Sequence, residues 1–180
     1  MRKTTITILI FVSILILILG FNNQTNENGL EIYVLNISHP ILTNENPEEC
    51  YCCVDLQKKN LSSIPLIYDS EIESFDFDKQ KLTLTKNGQK KLSELNFSKT
   101  GVYGIPAAIV LNGKPIYSFI FFPIGSSVAC DRPFTHLRIE KKEFYIHFGV
   151  GKGKNEFRYG KDPRFDIGLK KYIDNRFKNN

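Results

Sequence analysis

Tryptophan is absent from this chain, methionine occurs once, and there are only three histidines, His39, His136 and His147. An apolar interior must therefore be filled from 14 Phe, 8 Tyr and the aliphatic residues. None of the histidines has a second ligand at metal-binding spacing on its own element, so no His-based metal motif is present and no metal is expected. Glycine (12) and proline (8) are too sparse for a collagenous or low-complexity chain. No repeat period of roughly 20–50 residues recurs, which excludes solenoids and propellers. The nucleotide and hydrolase signatures are missing too. Gly125-Ser126-Ser127 lacks the Gly-x-Ser-x-Gly elbow and reads as a turn. Gly149-Val150-Gly151-Lys152-Gly153-Lys154 fits neither phosphate-loop spacing and reads as a loop.

What is present is an ordinary globular composition, 42% hydrophobic and 24% charged. It follows an apolar leader. Arg2 and Lys3 precede a nearly unbroken run from Ile6 to Phe21, broken only by Thr7, Ser13 and Gly20. A charged start followed by an apolar stretch is the layout of an export signal, and the run falls between a signal-peptide core and a minimal spanning helix. Residues 1–21 are thus read as a signal peptide or N-terminal membrane anchor. The positive charges stay inside and the remainder is translocated to the periplasm or cell surface. Residues 22–29, polar throughout, read as a flexible tether. Residues 30–180 form one domain, large enough to fold without metal or cofactor.

Export gives the cysteines their meaning. The four, Cys50, Cys52, Cys53 and Cys130, are an even number in an oxidising compartment and are disulfide candidates. Cys130 lies 77 to 80 residues from the others. A bond across that gap contributes on the order of 4.5 kcal/mol in the chain-entropy model. Connectivity is not fixed by spacing. Cys50-Tyr51-Cys52-Cys53 also has the Cys-x-x-Cys spacing of thiol oxidoreductases, and clustered thiolates suit soft metals. Structural cross-linking is the favoured reading.

Hydrophobic periodicity places the elements. Leu30 to Ile37 is a first strand, and Leu61 to Ile67, around Pro65, an edge strand or extended connection. Lys81 to Thr85 is a short strand, with Thr85 capping a helix from Lys86 to Leu95. Ile105 to Leu111, Asn112-Gly113 and Lys114 to Phe122 form a hairpin on a type I′ turn, the strongest local signal in the chain. Leu137 to Ile139 and Phe144 to Phe148 read as a second pair, with Tyr145 and His147 on the outer face. Asp162-Pro163 opens an amphipathic helix carrying Phe165, Leu169, Tyr172, Ile173 and Phe177. The fold class is α+β: a mixed or antiparallel sheet with a central Asn-Gly hairpin, one short helix, and a C-terminal helix on one face.

Charge divides along the chain. Residues 22–131 carry 9 basic and 13 acidic side chains; residues 132–180 carry 13 basic and 6 acidic. A basic C-terminal third suits anionic lipid headgroups, cell-wall polymers or nucleic acid. The basic residues are scattered over two strands, a glycine loop and a helix, however, so a solvated, mixed surface is the favoured reading and nucleic acid is not an expected partner. The paired acids Glu71/Glu73 and Asp76/Asp78 read as solvated faces. A catalytic set from Cys130, Asp131 and His136, or a hydrolytic site between Ser126 and His136, requires sequence neighbours to converge, and no catalytic residue is assigned.

Within Asp69 to Phe122, the stretches Asp-Ser-Glu-Ile-Glu-Ser, Leu-Thr-Leu-Thr-Lys-Asn-Gly-Gln-Lys-Lys-Leu and Ala-Ala-Ile-Val-Leu-Asn-Gly-Lys-Pro-Ile-Tyr resemble the periplasmic head subdomain of SecD-type translocase proteins. There too, a strand and short helix precede an apolar strand with an Asn/Asp-Gly turn. The resemblance covers about 55 residues and transfers no functional residue; it implies a role beside protein export. The chain as a whole looks like the small exported proteins of low-GC bacteria.

Together these features predict an exported, non-enzymatic domain that binds a protein or cell-envelope partner. The contact surface is the exposed edge of the hairpin, or the aromatic run Phe119, Phe121 and Phe122 if part of it stays exposed. An exported enzyme with thiol redox or hydrolytic activity is the alternative.

Overall fold

The computed structural model describes residues 29–37, 51–54, 56–150 and 157–178. Within them the strands and helices run β1 (Leu30–Val34), β2 (Ile72–Asp76), β3 (Lys81–Leu84), α1 (Lys86–Ser93), β4 (Ile105–Leu111), β5 (Lys114–Pro123), β6 (Pro133–Leu137), β7 (Glu143–Tyr145), β8 (His147–Phe148) and α2 (Ile167–Phe177). They form an α+β domain with two sheets, one of order β1-β4-β5-β6-β8 and one of order β2-β3-β7. Every pairing is antiparallel except β5 with β6. The leader, Cys50 and His39 lie outside the described residues. Among those described, no helix is long and apolar enough to cross a membrane.

The Asn-Gly hairpin is the centre of the larger sheet. Asn112 and Gly113 both take positive φ, 51° and 70°, and Leu111 pairs with Lys114 across the turn. Positive φ at both central positions is the requirement of a type I′ turn, which Asn-Gly meets at low cost. Asn112 also accepts a hydrogen bond on its side-chain oxygen from the Gly29 amide at 2.8 Å, and its own amide donates to the Gly29 carbonyl at 2.9 Å. Gly29 therefore belongs to the domain and not to the tether.

All seven residues of β4 are buried, because the sheet is covered on both faces. On one side Ile105, Ala107 and Ile109 join Phe119, Phe121, Leu82, Phe144, Leu169 and Ile173 in the main core, between the sheets and the helices. On the other, Ala108 and Val110 pack under Leu35. The free edge of β1 is occupied by residues 61–67, with bridges Ile32–Ile67 and Leu35–Leu61.

This placement overturns the expected contact surface. Neither hairpin strand is an edge: β4 lies between β1 and β5, and β5 between β4 and β6. Phe119, Phe121 and Phe122 are 1%, 0% and 0% exposed. Alternation along β5 sends Phe119 and Phe121 into the main core and Phe122 into a second cluster on the opposite face.

Two further expectations change. The segments 137–139 and 144–148 do not pair with each other. Instead, β6 lies beside β5 and β8, while β7 joins β3 in the other sheet, so the strand expected at 144–148 is divided at Ile146. The predicted alternation survives: Phe144, Ile146 and Phe148 are buried, and Tyr145 and His147 face outward. The C-terminal helix starts at Ile167, capped by Asp166, whose carboxylate accepts from the Leu169 amide at 2.8 Å. Asp162 does not cap it; its carboxylate is taken by the Arg164 guanidinium at 2.6 Å.

Glu71 is the other surprise, buried where a solvated face was expected. Three donors converge on its carboxylate: the Tyr68 amide at 2.9 Å, Lys91 Nζ at 2.8 Å and the Asn87 side-chain amide. They tie the turn before β2 to α1. Removing a buried acceptor leaves its donors unsatisfied. Glu71→Ala is therefore expected to lower unfolding free energy by about 2–3 kcal/mol in urea titration. A loss below about 0.5 kcal/mol, the scale of an ordinary surface substitution, would show that the carboxylate is not needed.

Candidate functional site

Two constellations of chemistry-bearing residues stand out. The first lies where β6, β7 and β8 meet. A cavity of about 300 Å³ opens there, lined by Thr135, His136, Arg138, Lys141, Glu143, Phe144, Tyr145 and His147. The turn between β6 and β7 is closed by the Lys141 amide donating to the Arg138 carbonyl at 2.9 Å, which sets Arg138 and Lys141 on the rim. The one carboxylate in the lining, Glu143, pairs with Lys81 at 2.6 Å. That contact holds Glu143 below the usual carboxylate range and Lys81 above its ordinary value.

Aromatic packing fixes the two histidines. His136 sits against Phe122 and Phe134, with ring centroids 5.7 and 5.5 Å away. His147 contacts Phe134 at 5.6 Å and stacks on Tyr145 at 6.4 Å. His147 keeps an exposed edge, yet this packing strips part of its hydration and lowers its pKa below 6.5. The positive charge of Arg164 and the neighbouring His136 act in the same direction. Near neutral pH the imidazole is accordingly uncharged; an anion in the pocket would favour its protonated form.

The second constellation is buried on the same face of the larger sheet. Cys52 and Cys130, 2% and 0% exposed, pack with Ile120, Phe122 and Phe134. Asp131 is 4% exposed; its two carboxylate oxygens accept from the amides of Tyr51 (2.8 Å) and Cys52 (2.9 Å). One donor atom from each of Cys52, Cys130 and Asp131 lies within 4.8 Å of the others. The Cys52 thiol is pushed well up by its hydrogen bond with Cys130, then by burial and by the charges of Cys130 and Asp131. Cys52 and Cys130 are free thiols in this structure, and Cys53 is disulfide-bonded.

The remaining candidates separate. Ser126 donates its hydroxyl to the Val102 carbonyl at 2.6 Å and accepts from the Val128 amide, the behaviour of a turn residue. Both Asp131 oxygens are taken by the 51–52 amides and the Ser126 hydroxyl proton by the Val102 carbonyl, so neither is turned to His136. Sequence reasoning missed the cavity because its lining comes from strands of both sheets. The available signal was the outward phase of Tyr145 and His147 in a basic segment.

The chain matches no protein-family model, no curated protein and no solved structure.

Proposed function

We propose that this chain is an exported, non-enzymatic domain, tethered to the membrane by residues 1–21 or released from it, that binds an anionic component of the cell envelope. The observation that carries the reading is the cavity at β6–β8. It brings His136, Arg138, Lys141 and His147 together while its own carboxylate is neutralised by Lys81. Cations set around a concave, partly apolar surface favour phosphate- or carboxylate-bearing groups, and aromatic walls add stacking area. The sequence supports the location: an apolar leader behind two positive charges, and a basic C-terminal third.

The thiol-redox alternative is the weaker one. It places thiol chemistry between Cys50 and Cys53; a nucleophilic cysteine must be accessible and readily deprotonated, whereas within that stretch Cys52 is buried with its pKa raised and Cys53 is disulfide-bonded.

The test is equilibrium binding of a poly(glycerol phosphate) chain, with neutral dextran and single-stranded DNA as comparators. Binding is expected for the phosphate polymer, weakening with added salt. Arg138→Ala combined with Lys141→Ala should reduce affinity about thirtyfold at low salt, since each cation near an anionic surface contributes about 1 kcal/mol and a factor of ten is about 1.4 kcal/mol. Affinity should also rise as pH falls from about 7.5 to 5.5. The folded His147 resists protonation until the anion arrives, so binding is coupled to proton uptake. His147→Gln should flatten that dependence. Binding that ignores both substitutions and pH, or that is equal for dextran, removes the proposal; equal binding of DNA removes its envelope specificity.

A further inference from the structure

The Cys52–Cys130–Asp131 cluster is not used by the anion pocket, and burial alone does not account for its arrangement. Its two sulfurs come from segments nearly eighty residues apart. Cys52 lies in the stretch 51–54, which crosses the outer face of the larger sheet. Cys130 lies in the connection between β5 and β6, the parallel pair. Asp131 fastens one segment to the other. Both of its oxygens accept consecutive amides of the first segment, at 2.8 and 2.9 Å, and its carbonyl accepts the Tyr159 amide at 2.9 Å. A carboxylate receiving two backbone N–H bonds is a strong, directional clamp. Here it sets Cys52 beside Cys130 and fixes the backbone direction from which each side chain departs.

We propose that Cys52 and Cys130 close a disulfide when the chain folds in an oxidising compartment, with Asp131 as the positioning residue that brings them into register. The proposal rests on the exported half of the functional reading and is independent of the anion pocket.

Charge favours this pairing over a bound metal. A soft metal would need both sulfurs as thiolates beside the Asp131 carboxylate, three anions that a monovalent or divalent ion leaves with net negative charge in an apolar pocket of Ile120, Phe122 and Phe134. A disulfide carries no charge and no proton, so it relieves the repulsion and leaves the carboxylate with its two amide donors.

The chemistry is thiol–disulfide exchange with a small-molecule or protein disulfide as oxidant. One cysteine, as thiolate, attacks a sulfur of the oxidant, breaking its S–S bond and releasing one thiol. The second cysteine then displaces the other half of the oxidant from the mixed disulfide. One S–S bond forms, one breaks, and two electrons and two protons pass to the oxidant as two thiols. Because both sulfurs are buried in the folded state, exchange takes place before segment 51–54 settles on the sheet.

The experiment is refolding of the full chain in a glutathione buffer at an oxidising ratio, which removes export itself as a variable. Free thiols are then blocked without reduction and the peptides mapped by mass spectrometry. The expected result is a peptide containing Cys52 joined to one containing Cys130, about 2 Da lighter than the two reduced peptides. Cys52→Ser should free Cys130 for alkylation, whereas Cys53→Ser should not. Asp131→Asn, which keeps the shape but loses one acceptor, should raise about tenfold the oxidised-to-reduced glutathione ratio needed for half-closure. As a readout that needs no cysteine variant, reduction of the wild-type chain should increase its unfolding equilibrium constant on the order of 10³-fold, as expected for a cross-link spanning about 80 residues. Alkylation of both Cys52 and Cys130 after oxidative refolding would overturn the proposal. So would a bond from Cys130 to Cys50 or Cys53, or a native mass showing one metal ion held by the two sulfurs. Failure of phosphate-polymer binding with the bond intact would count against the pocket alone.

Discussion

Phe121→Ala is expected to lower the unfolding free energy by about 3–5 kcal/mol, the range for removing a large aromatic from a packed core. Phe121 is fully buried and makes edge-on contacts with Phe119 at 4.7 Å and Phe144 at 5.7 Å. Phe119 belongs to the larger sheet and Phe144 to the smaller, so this ring joins the two. Its removal combines lost transfer free energy with a cavity that two sheets cannot easily close. A domain of this size has on the order of 5–15 kcal/mol in all, so the variant should be near the limit of folding at 37 °C. Denaturant unfolding followed by circular dichroism provides the measurement. The result separates two roles for the aromatic run. Were Phe121 part of a contact surface, alanine would leave stability within about 0.5 kcal/mol and affect only binding.

Gly104→Ala should cost about 3 kcal/mol or more, for a reason that lies in the backbone. Gly104 joins a short 3-10 turn (Gly101–Tyr103) to β4, at φ 78° and ψ −173°, a region open essentially to glycine alone. A Cβ there would come within 2.4 Å of the Phe121 carbonyl oxygen and 2.8 Å of Ile120 Cγ2. Neither can retreat, since both belong to the central strand of the larger sheet. Strain of about 1–3 kcal/mol and overpacking of similar size therefore add. Gly125→Ala is the matched control: its Cβ would enter open space, and its stability should stay within about 0.5 kcal/mol of wild type. Equal losses in the two variants would show that β5 yields at Gly104 and that the close approach is not rigid.

Much of the fold was legible where the signal was local. Asn112-Gly113 announced its turn because positive φ at two successive residues is a property of those residues themselves. Thr85 caps α1, accepting from the Gly88 amide at 3.3 Å, because a hydroxyl before a helical run meets an orphan donor wherever it occurs. The outward phase of Tyr145 and His147 followed from the period of a strand. Legibility failed where two local signals competed: Asp162-Pro163 looked like a helix start, but Asp162 was nearer to Arg164, and Asp166 took the cap. The candidate site was less legible still. Whether any of Phe119, Phe121 and Phe122 stays exposed is not written in the strand, because apolar strand residues carry no mark of what will cover them; all three are buried. The burial of Glu71 is not legible beside the exposed Glu73, because two of its three donors, Asn87 and Lys91, reach it only once α1 has docked.

The sequence alone determined the apolar leader, the α+β class, the central hairpin, and the concentration of positive charge in the last third, because each is written within a few turns of helix or strand. Tertiary structure alone decided which sheet each strand would join, that the hairpin would be interior, and that His136 and His147 would meet across one cavity. It also decided that Asp131 would carry Cys52 to Cys130. These depend on contacts between residues far apart in the chain, whose closure entropy is offset only by the collective burial of the core, so no short stretch contains them.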